Sequence, residues 1–328
     1  MKPMPTMVAG ARLAPVAAPK PKRMTVASIS RGKLPSPWWI LLYGEPKIGK
    51  TTFAAGAPSP VFITLDGGTT ELDVARYPRP ESFDEFREAL DDVATNGVTN
   101  GFRTLVVDPL AHVEPLIASK ITEGKQVNTR TWGGGYGAYE NSVRDHVRLI
   151  FADLERVRDA GLNILLIGHA RVKKFANPEG SDFDVYDLDC ESKEMNAKSF
   201  QLATAVLFAR REVFARQEEG SKKFKAYGAA GHMLYTASTA AFRAGNRWGL
   251  PPVMPLSWPT FAAEMTRGES RNEDLKAKIE AGLAELADPE ATAKVRAWLA
   301  EGADLADVAN IVATKLQEVL EEEGEEEK

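Results

Sequence analysis

Gly44-Glu45-Pro46-Lys47-Ile48-Gly49-Lys50-Thr51 is the most informative segment of this 328-residue chain, and it directly follows an apolar run at residues 38–43. The segment fits the pattern G-x-x-x-x-G-K-[ST] at every fixed position. Glycines at this spacing let the backbone wrap a phosphate group with its N–H groups pointing inward. The motif requires a strand before the loop and a helix after it, which is expected here at residues 51–56. The segment therefore predicts a phosphate-binding loop, or P-loop.

The P-loop implies a bound nucleoside triphosphate together with a metal ion. We expect the side chain of Lys50 to reach the β- and γ-phosphates and the hydroxyl of Thr51 to ligate Mg²⁺. ATP and Mg²⁺ are therefore the expected cofactors. The residues expected to bind the nucleotide are Gly44, Glu45, Pro46, Lys47, Ile48, Gly49, Lys50, Thr51 and Thr52.

Three further apolar runs have the length of strands, and each ends at a polar residue or a glycine. Strands that are apolar on both faces are typical of parallel sheets covered by helices. Between the runs the apolar residues repeat at helical spacing, most clearly at residues 141–161. This alternation predicts an α/β fold with a mostly parallel sheet. The runs lie at residues 61–65, 104–107 and 163–167.

The pattern changes after residue 200. Residues 202–217 and 224–238 flank a polar turn and predict an antiparallel hairpin that extends the sheet. From residue 271 the apolar residues return to helical spacing and predict a small bundle of three short helices, the second of which begins at Asp288-Pro289. The predicted domains are a basic arm at residues 1–35, a core at 36–268, a helical region at 269–320 and an acidic tail at 321–328.

Charge is unevenly distributed along the chain, although the net charge is only −5. Residues 1–35 carry seven basic residues and no acidic ones, and residues 318–328 carry seven Glu and one Lys. The part between them is mildly acidic, so nucleic-acid binding would have to come from local patches or from the basic arm. Both ends are expected to be disordered and solvated.

Composition excludes several classes of protein. The single cysteine, Cys190, excludes a disulfide framework and a multi-cysteine metal site, and four scattered histidines argue against a zinc site. No apolar run approaches the roughly 18–20 residues that span a bilayer. The basic N-terminus also lacks the apolar segment of a secretory signal. These features favour a cytoplasmic protein with no membrane partner.

Polar residues at the predicted strand ends are candidates for the chemistry, because these ends form the ligand edge of a parallel sheet. Asp108 is expected to hold the Mg²⁺ shell as the Walker B aspartate. Asp66 is suited to act as a general base or to orient water, and an Asp-Gly turn is an equal alternative. His169 is a candidate sensor that donates a hydrogen bond to the γ-phosphate, and a structural role is equally open. The residues expected to be structural are His112, His146 and His232.

The chain contains, in this order, GEPKIGKTT, FITLDGG, TLVVDPL, ILLIGHARVKK and AGNRWGLP. This order and spacing resemble the phage ATPases with a RecA-like core, which include single-strand annealing proteins of phage recombination and replication. The resemblance covers residues 36–265. It implies that Lys50 and Thr51 bind phosphate and Mg²⁺, that Asp108 is the Walker B residue and that His169 is the sensor. Asp66 takes the position of the catalytic acid, where the family usually has the longer Glu.

In RecA-like folds the loops after the third and fourth strands line the DNA path, and both loops here carry cations beside aromatic residues. Such pairs can contact phosphates and stack bases. The first loop surrounds Gly133-Gly134-Gly135, where a buried Trp132 beneath a loose loop is an equal alternative. The second precedes six acidic residues, which would repel a phosphate backbone and are expected to form a solvated hairpin. The DNA-binding candidates are Lys125, Arg130, Trp132, Arg171, Lys173 and Lys174.

Together these features predict a Mg²⁺-dependent ATPase that binds single-stranded DNA and assists annealing or strand exchange in phage recombination or replication. One alternative is a helicase- or loader-type replication motor. Another is a nucleotide-binding module with little turnover, which the short side chain of Asp66 would allow. The expected partners are single-stranded DNA, further copies of the chain and a single-strand-binding protein. The expected location is the cytoplasm, which is the host cytoplasm for a phage-encoded protein.

Assembly matters because RecA-like ATPases place the nucleotide at a subunit boundary, where a cation of the neighbour can act as an arginine finger. Arg247 is the candidate for this catalytic role, and Arg243 on the other side of Gly245-Asn246 is the second choice. A role within the same chain and a simple surface position are equally open for both.

Overall fold

The computed structural model describes residues 25, 26, 29 and 36–326, apart from residues 179, 218–223, 302 and 304. Within that range it describes every side chain except those of residues 213–230, 269, 271, 272 and 320–326. The chain divides into Met1–Ser36 and Pro37–Lys328, and every strand and helix below belongs to the second unit. The predicted basic arm therefore lies almost wholly outside the described residues, as does the end of the acidic tail.

Strands and helices alternate through the first two thirds of the chain, and helices follow to the end. The strands in the described residues are β1 (Trp39–Gly44), β2 (Pro60–Thr64), β3 (Ala75–Arg76), β4 (Thr104–Asp108), β5 (Asn163–Phe175), β6 (Phe183–Leu188), β7 (Ala205–Gln217), β8 (Phe224–Tyr235) and β9 (Val253–Pro255). The α-helices are α1 (Lys50–Ala55), α2 (Phe83–Asn96), α3 (Val113–Thr122), α4 (Ala138–Asp159), α5 (Lys193–Leu202), α6 (Trp258–Leu286), α7 (Pro289–Ala300) and α8 (Leu305–Glu326).

Eight of the nine described strands lie in the order β3-β2-β4-β5-β1-β7-β8-β9, and β6 pairs with β5. The strands from β3 to β7 in this order are parallel, whereas β7–β8, β8–β9 and β5–β6 are antiparallel. Gly44 at the end of β1 lies between His169 on β5 and Ala209 on β7. The predicted α/β fold with a mostly parallel sheet is confirmed, and the strand ends meet at one edge.

Apolar side chains cover both faces of the sheet, as the continuous apolar runs predict. Alternate residues of β1 point to opposite faces, which is the two-residue period of a strand. Trp39 is buried against α4, where its ring stacks on Phe151 with the centroids 6.1 Å apart. On the other face α1 packs on the start of α6, because Phe53 contacts Trp258 at a centroid distance of 5.1 Å. The P-loop helix is thus held between the sheet and α6.

The amphipathic helix predicted at residues 141–161 is confirmed as α4. Its buried stripe consists of Val147, Ile150, Phe151, Leu154 and Val157. The hairpin predicted from residues 202–217 and 224–238 is confirmed as β7 and β8. The acidic segment after β5 also forms a hairpin, because residues 170–175 pair with β6 in antiparallel register.

The expectation of three short C-terminal helices is wrong for the first and the third of them. Helix α8 is 22 residues long and continues through Glu326, into the residues for which the sequence predicts a disordered acidic tail. Helix α6 is 29 residues long and passes without a break through residue 268, the predicted end of the core. A methyl group on Gly268 would lie 1.7 Å from the carbonyl oxygen of Trp248, so glycine lets α6 pack directly on that backbone. Further along, Ile279 and Leu283 of α6 bury against α7 and α8. The helix therefore carries side chains of the core at one end and of the helical bundle at the other.

None of the described helices combines the length and the apolar character needed to cross a membrane.

Candidate nucleotide-binding site

The P-loop lies at the carboxyl edge of the sheet, directly after β1. Its first glycine is required by packing, because a methyl group on Gly44 would lie 1.9 Å from the carbonyl oxygen of Ala209. The same carbonyl accepts a 3.2 Å hydrogen bond from the backbone N–H of Glu45. Gly49 has a φ of 100°, a left-handed conformation that glycine adopts readily. Sheet packing and backbone conformation thus explain the two fixed glycines of the motif.

Lys50 is buried at the mouth of this loop with 4% of its surface exposed. Its Nζ donates hydrogen bonds to the carbonyl oxygens of Gly44 (3.0 Å) and Glu45 (2.7 Å). Burial lowers the pKa of Lys50 to about 8, although the carboxylates of Asp108 and Glu45 act in the opposite direction. A desolvated ammonium group held by loop carbonyls is well placed to bind an incoming phosphate.

Thr51 and Asp108 meet beside this lysine, because the Thr51 hydroxyl donates a 2.6 Å hydrogen bond to Oδ2 of Asp108. Asp108 is 4% exposed, and burial raises its pKa to about 6, whereas the Thr51 hydrogen bond and the charge of Lys50 act to lower it. Hard oxygen donors of this kind fit Mg²⁺, which takes few protein ligands and completes its shell with phosphate and water. The described residues hold no cluster of three His, Cys, Asp or Glu that could bind a metal without a nucleotide.

His169 completes the same edge from β5, the strand between β1 and β4. Its Nδ1 lies 3.5 Å from Nζ of Lys50. Burial and then the charge of Lys50 lower the pKa of His169, so the imidazole is neutral at physiological pH. With Nδ1 facing an ammonium group as an acceptor, the ring proton is on Nε2, which can donate to another group.

Asp66 follows β2 at the neighbouring strand end, where the backbone N–H of Leu65 donates to the carbonyl oxygen of Asp108 (2.9 Å). Its Oδ1 accepts a 2.8 Å hydrogen bond from the N–H of Gly68, so the Asp-Gly turn is present. The negative charge of Asp66 also acts to raise the pKa of Asp108, where burial acts in the same direction, and of His169, where burial acts in the opposite direction. Asp66 is therefore a turn residue that also lies close enough to act on the site.

Two histidines that the sequence indicated to be structural are also near this site. Burial is the largest influence on the pKa of Asp108 and of His169, and an electrostatic interaction with His112 acts to lower both. A methyl group on Gly49 of the P-loop would lie 4.0 Å from Nδ1 of His232. His232 comes from β8, and its position follows from the pairing of the strands, which no local sequence pattern reveals.

In the first predicted DNA-binding loop, two of the three candidate residues already contact other residues of the chain. Lys125 forms a 2.8 Å ion pair with Glu123 on the surface. Trp132 is half-buried and packs edge-to-face on Tyr139 with the centroids 6.0 Å apart, so it serves the core as well. Arg130 is exposed. The cations of this loop are thus available at the surface, whereas its tryptophan is held largely by packing.

The second predicted loop is the β5–β6 hairpin, and its three cations differ in environment. Arg171 forms ion pairs with Glu191 (3.1 Å) and Asp189 (3.5 Å) and donates to the carbonyl oxygen of Cys190. Lys173 lies 3.7 Å from Asp187. Lys174 is exposed and has no ion pair with any described residue. Part of the acidic segment therefore neutralises the cations of its own hairpin.

A cavity of 390 Å³ lies beside this hairpin. Its wall combines aromatic rings with cationic and polar groups. Phe175 and Phe183 form an aromatic pair there with the centroids 5.1 Å apart, and Phe175 is 45% exposed. Arg243 faces the cavity but is held by an ion pair with Asp187, and its guanidinium lies over the ring of Phe200. The guanidinium of Arg243 is therefore held by contacts within its own chain, although its side chain remains 53% exposed.

Arg247 is exposed and lies away from the P-loop of its own chain. The neighbouring Gly245 exchanges two backbone hydrogen bonds with Val206, which pairs with Leu41 of β1. Leu41 precedes Gly44 by three residues, or about 10 Å along a strand. Among the described residues Arg247 has no ion pair, and its role at a nucleotide stays a prediction.

Comparison with known proteins agrees with this geometry. The family model AAA_24, described as an AAA domain, matches residues 36–248, which is more than half of the chain and contains the whole P-loop site. No curated protein matches the chain. The P-loop, the buried lysine and the paired Thr51 and Asp108 are the parts that a nucleotide-hydrolysing ATPase needs. The chain belongs to the AAA domain family of P-loop ATPases.

Proposed function

We propose that this protein is a Mg²⁺-dependent ATPase that binds single-stranded DNA and assists annealing or strand exchange in phage recombination or replication. The observation that carries the ATPase part is the convergence of Lys50, Thr51 and Asp108 at one edge of the sheet. Lys50 bonds to the P-loop carbonyls of Gly44 and Glu45, and beside it Thr51 donates a 2.6 Å hydrogen bond to Asp108. A cation and two oxygen ligands in this arrangement match what a triphosphate and its metal ion require.

Each residue has a definite role in this proposal. The N–H groups of the P-loop hold the β-phosphate, and Lys50 exchanges its bonds to loop carbonyls for bonds to phosphate oxygens. Thr51 and Asp108 would hold Mg²⁺, which supplies charge neutralisation between the β- and γ-phosphates. Because these groups are already in place, little reorganisation is needed when negative charge develops during phosphate transfer.

The attacking water would be oriented by Asp66, whose Oδ2 is not used in the turn with Gly68. His169 donates from Nε2 to a γ-phosphate oxygen, because Nδ1 of the neutral ring that burial favours faces the Lys50 ammonium group and leaves the proton on Nε2. When the γ-phosphate leaves, both His169 and Lys50 lose a partner. His169 lies on β5, and the same strand continues into the β5–β6 hairpin that forms the second predicted DNA loop. A change in the contacts of His169 can therefore reach that loop along one strand.

The DNA part of the proposal is supported by the cavity beside that hairpin. Lys173 and Lys174 stand next to Phe175 and Phe183 on its wall, and such pairs contact the backbone and stack bases of a single strand. Arg171 contributes less because Glu191 and Asp189 already neutralise it. We include the predicted homo-oligomer in the proposal, with Arg247 of one subunit reaching the nucleotide of the next. A single-strand-binding protein is the proposed further partner.

The experiment that tests this function measures ATP hydrolysis by the full chain with Mg²⁺, with and without single-stranded DNA. The proposal expects hydrolysis that rises with single-stranded DNA, and accelerated annealing of complementary strands in the same buffer. Lys174→Ala should lower the stimulation, whereas Lys315→Ala, an exposed lysine on α8, should not. Nucleotide binding without turnover would instead favour a nucleotide-binding module. Unwinding of a duplex without annealing would favour a replication motor.

A further inference from the structure

Arg211 and His232 form a pair of nitrogen-bearing side chains on the hairpin beside the P-loop. They lie directly opposite each other on β7 and β8. On these strands Ala209 and Leu234 also face each other, and both are buried on the side of the sheet that carries α1. Because side chains two residues apart share a face, Arg211 and His232 point to the same side as the P-loop.

The distance to the P-loop is short. A methyl group on Gly49 would lie 4.0 Å from Nδ1 of His232 and 3.9 Å from Cδ2 of Leu256. The backbone of His232 is fixed there, since its carbonyl oxygen accepts a 2.8 Å hydrogen bond from the N–H of Leu256. Gly49 of the P-loop therefore has an apolar neighbour, the side chain of Leu256, and a polar one, the imidazole of His232.

Neither side chain of the pair is held by a polar contact within the part of the chain that the structure describes. Both are exposed, and neither forms an ion pair or a side-chain hydrogen bond with a described residue. The adjacent Arg210 shows the contrast, because it points to the other face and lies over the ring of Tyr235, 4.7 Å from its centroid. Arg211 is thus a cation near the loop whose charge no described carboxylate balances.

The order of the strands indicates which part of a nucleotide would meet this pair. Asp108 on β4 and His169 on β5 lie on one side of β1, so the metal ion and the γ-phosphate belong to that side. β7 and β8 lie on the other side of β1. A triphosphate held across the P-loop therefore directs its α-phosphate and ribose toward Arg211 and His232.

We propose that Arg211 and His232 bind the α-phosphate and ribose end of the nucleotide. The inference rests on the proposed ATPase function, because it concerns the same site. A cation contacting a phosphate forms a charge-assisted hydrogen bond, which is stronger than a neutral one. The pair thus adds affinity for nucleoside di- and triphosphates and is separate from the groups that act on the γ-phosphate.

The test measures equilibrium binding of Mg·ADP and of the Mg-bound β,γ-imido analogue of ATP to the full chain. Arg211→Ala is expected to raise the Kd for both nucleotides about tenfold, which corresponds to about 1.4 kcal/mol. His232→Ala is expected to raise both values in the same direction. Arg211→Lys retains the charge and should recover part of the loss. The matched control is Arg103→Ala, an exposed arginine at the amino edge of the sheet, next to Thr104 of β4.

The outcomes separate this inference from the proposed function. Equal losses for the two nucleotides in Arg211→Ala and His232→Ala support it, provided that Arg103→Ala binds like the wild type. A loss confined to the ATP analogue would overturn it, because it would place the pair at the γ-phosphate. Unchanged Kd values in both variants would also overturn it. Lys50→Ala measured in parallel tests the P-loop itself, so unchanged binding in Lys50→Ala would count against the proposed function instead.

Discussion

The hydroxyl of Thr51 donates a 2.6 Å hydrogen bond to Oδ2 of Asp108, and this bond joins the first turn after the P-loop to the end of a strand 57 residues later. The two oxygen atoms converge where the metal ion of a Mg·nucleotide would bind. Because α1 and β4 each belong to the packed core, the pair is positioned by the fold before any ligand arrives.

Thr51→Ala removes one of these two oxygens, whereas Thr51→Ser retains it. We expect Thr51→Ala to lower kcat about 100-fold at limiting Mg²⁺, in the range of losing one group that stabilises developing charge. Thr51→Ser should stay close to the wild type. The measurement is ATP hydrolysis as a function of Mg²⁺ concentration, and equal Mg²⁺ dependence in the two variants would contradict the assigned metal site.

Asp108→Asn should stabilise the protein without nucleotide while removing its Mg²⁺-dependent hydrolysis. Burial raises the pKa of Asp108 to about 6, so its charge opposes folding above that pH and the penalty disappears as the group is protonated at lower pH. The shift from an ordinary value near 3.9 corresponds to at most about 3 kcal/mol at pH 7.

Urea unfolding at pH 7 and pH 4 checks this prediction. The variant should be more stable than the wild type at pH 7, and the difference should be much smaller at pH 4. In the wild type, affinity for Mg·nucleotide should fall below pH 6, because a protonated Asp108 is a poorer metal ligand. A variant less stable than the wild type at pH 7 would show that the buried charge is compensated within the protein.

Gly44→Ala should damage both the fold and the site. The added methyl group would lie 1.9 Å from the carbonyl oxygen of Ala209, so β1 and β7 would have to separate at the edge that holds the P-loop. Overpacking of this kind costs about 1–3 kcal/mol. Gly245→Ala is the matched control, since no atom lies within 4 Å of its added methyl group. Thermal unfolding of both variants gives the comparison, and equal stability would contradict the packing.

Much of the nucleotide site could be predicted from the sequence, because its parts follow buried strands directly. Lys50, Thr51 and Asp108 each come within a few residues of a continuous apolar run, and parallel strands bring such ends together. The place of His232 could not be predicted in this way, because it depends on which strands pair and in which register. The ion pairs of Arg171 could not be predicted either, because its partners Asp189 and Glu191 follow β6 and meet Arg171 only when β5 and β6 pair.

The length of α6 could not be predicted from the sequence for a different reason. Its first turns bury Trp258 and Phe261 in the core, whereas its later turns bury Ile279 in the helical bundle. Two apolar faces with different partners break the regular spacing, so the pattern indicates a short helix where the backbone is continuous. Gly268 adds to this effect, since it is a poor helix residue that close packing on Trp248 requires.

Salt dependence tests which cations of the β5–β6 hairpin contact DNA. If Lys173 and Lys174 each neutralise one phosphate, log K for single-stranded DNA falls with log salt with a slope of about −1.4, or roughly sevenfold between 50 and 200 mM. Lys174→Ala should make the slope shallower by about 0.7. Arg171→Ala should change it less, because Glu191 already pairs with that guanidinium. A slope unaffected by Lys174→Ala would place the DNA elsewhere.

The most direct test of the account is the rate of Mg²⁺-dependent ATP hydrolysis by the full chain and by Lys50→Ala. Lys50 is the buried cation that two loop carbonyls hold at the phosphate position, and its removal leaves the strands around it in place. We predict that the wild type hydrolyses ATP and that folded Lys50→Ala loses this activity, while Lys315→Ala retains it. Hydrolysis by folded Lys50→Ala at the wild-type rate would contradict the assignment of this loop as the catalytic site.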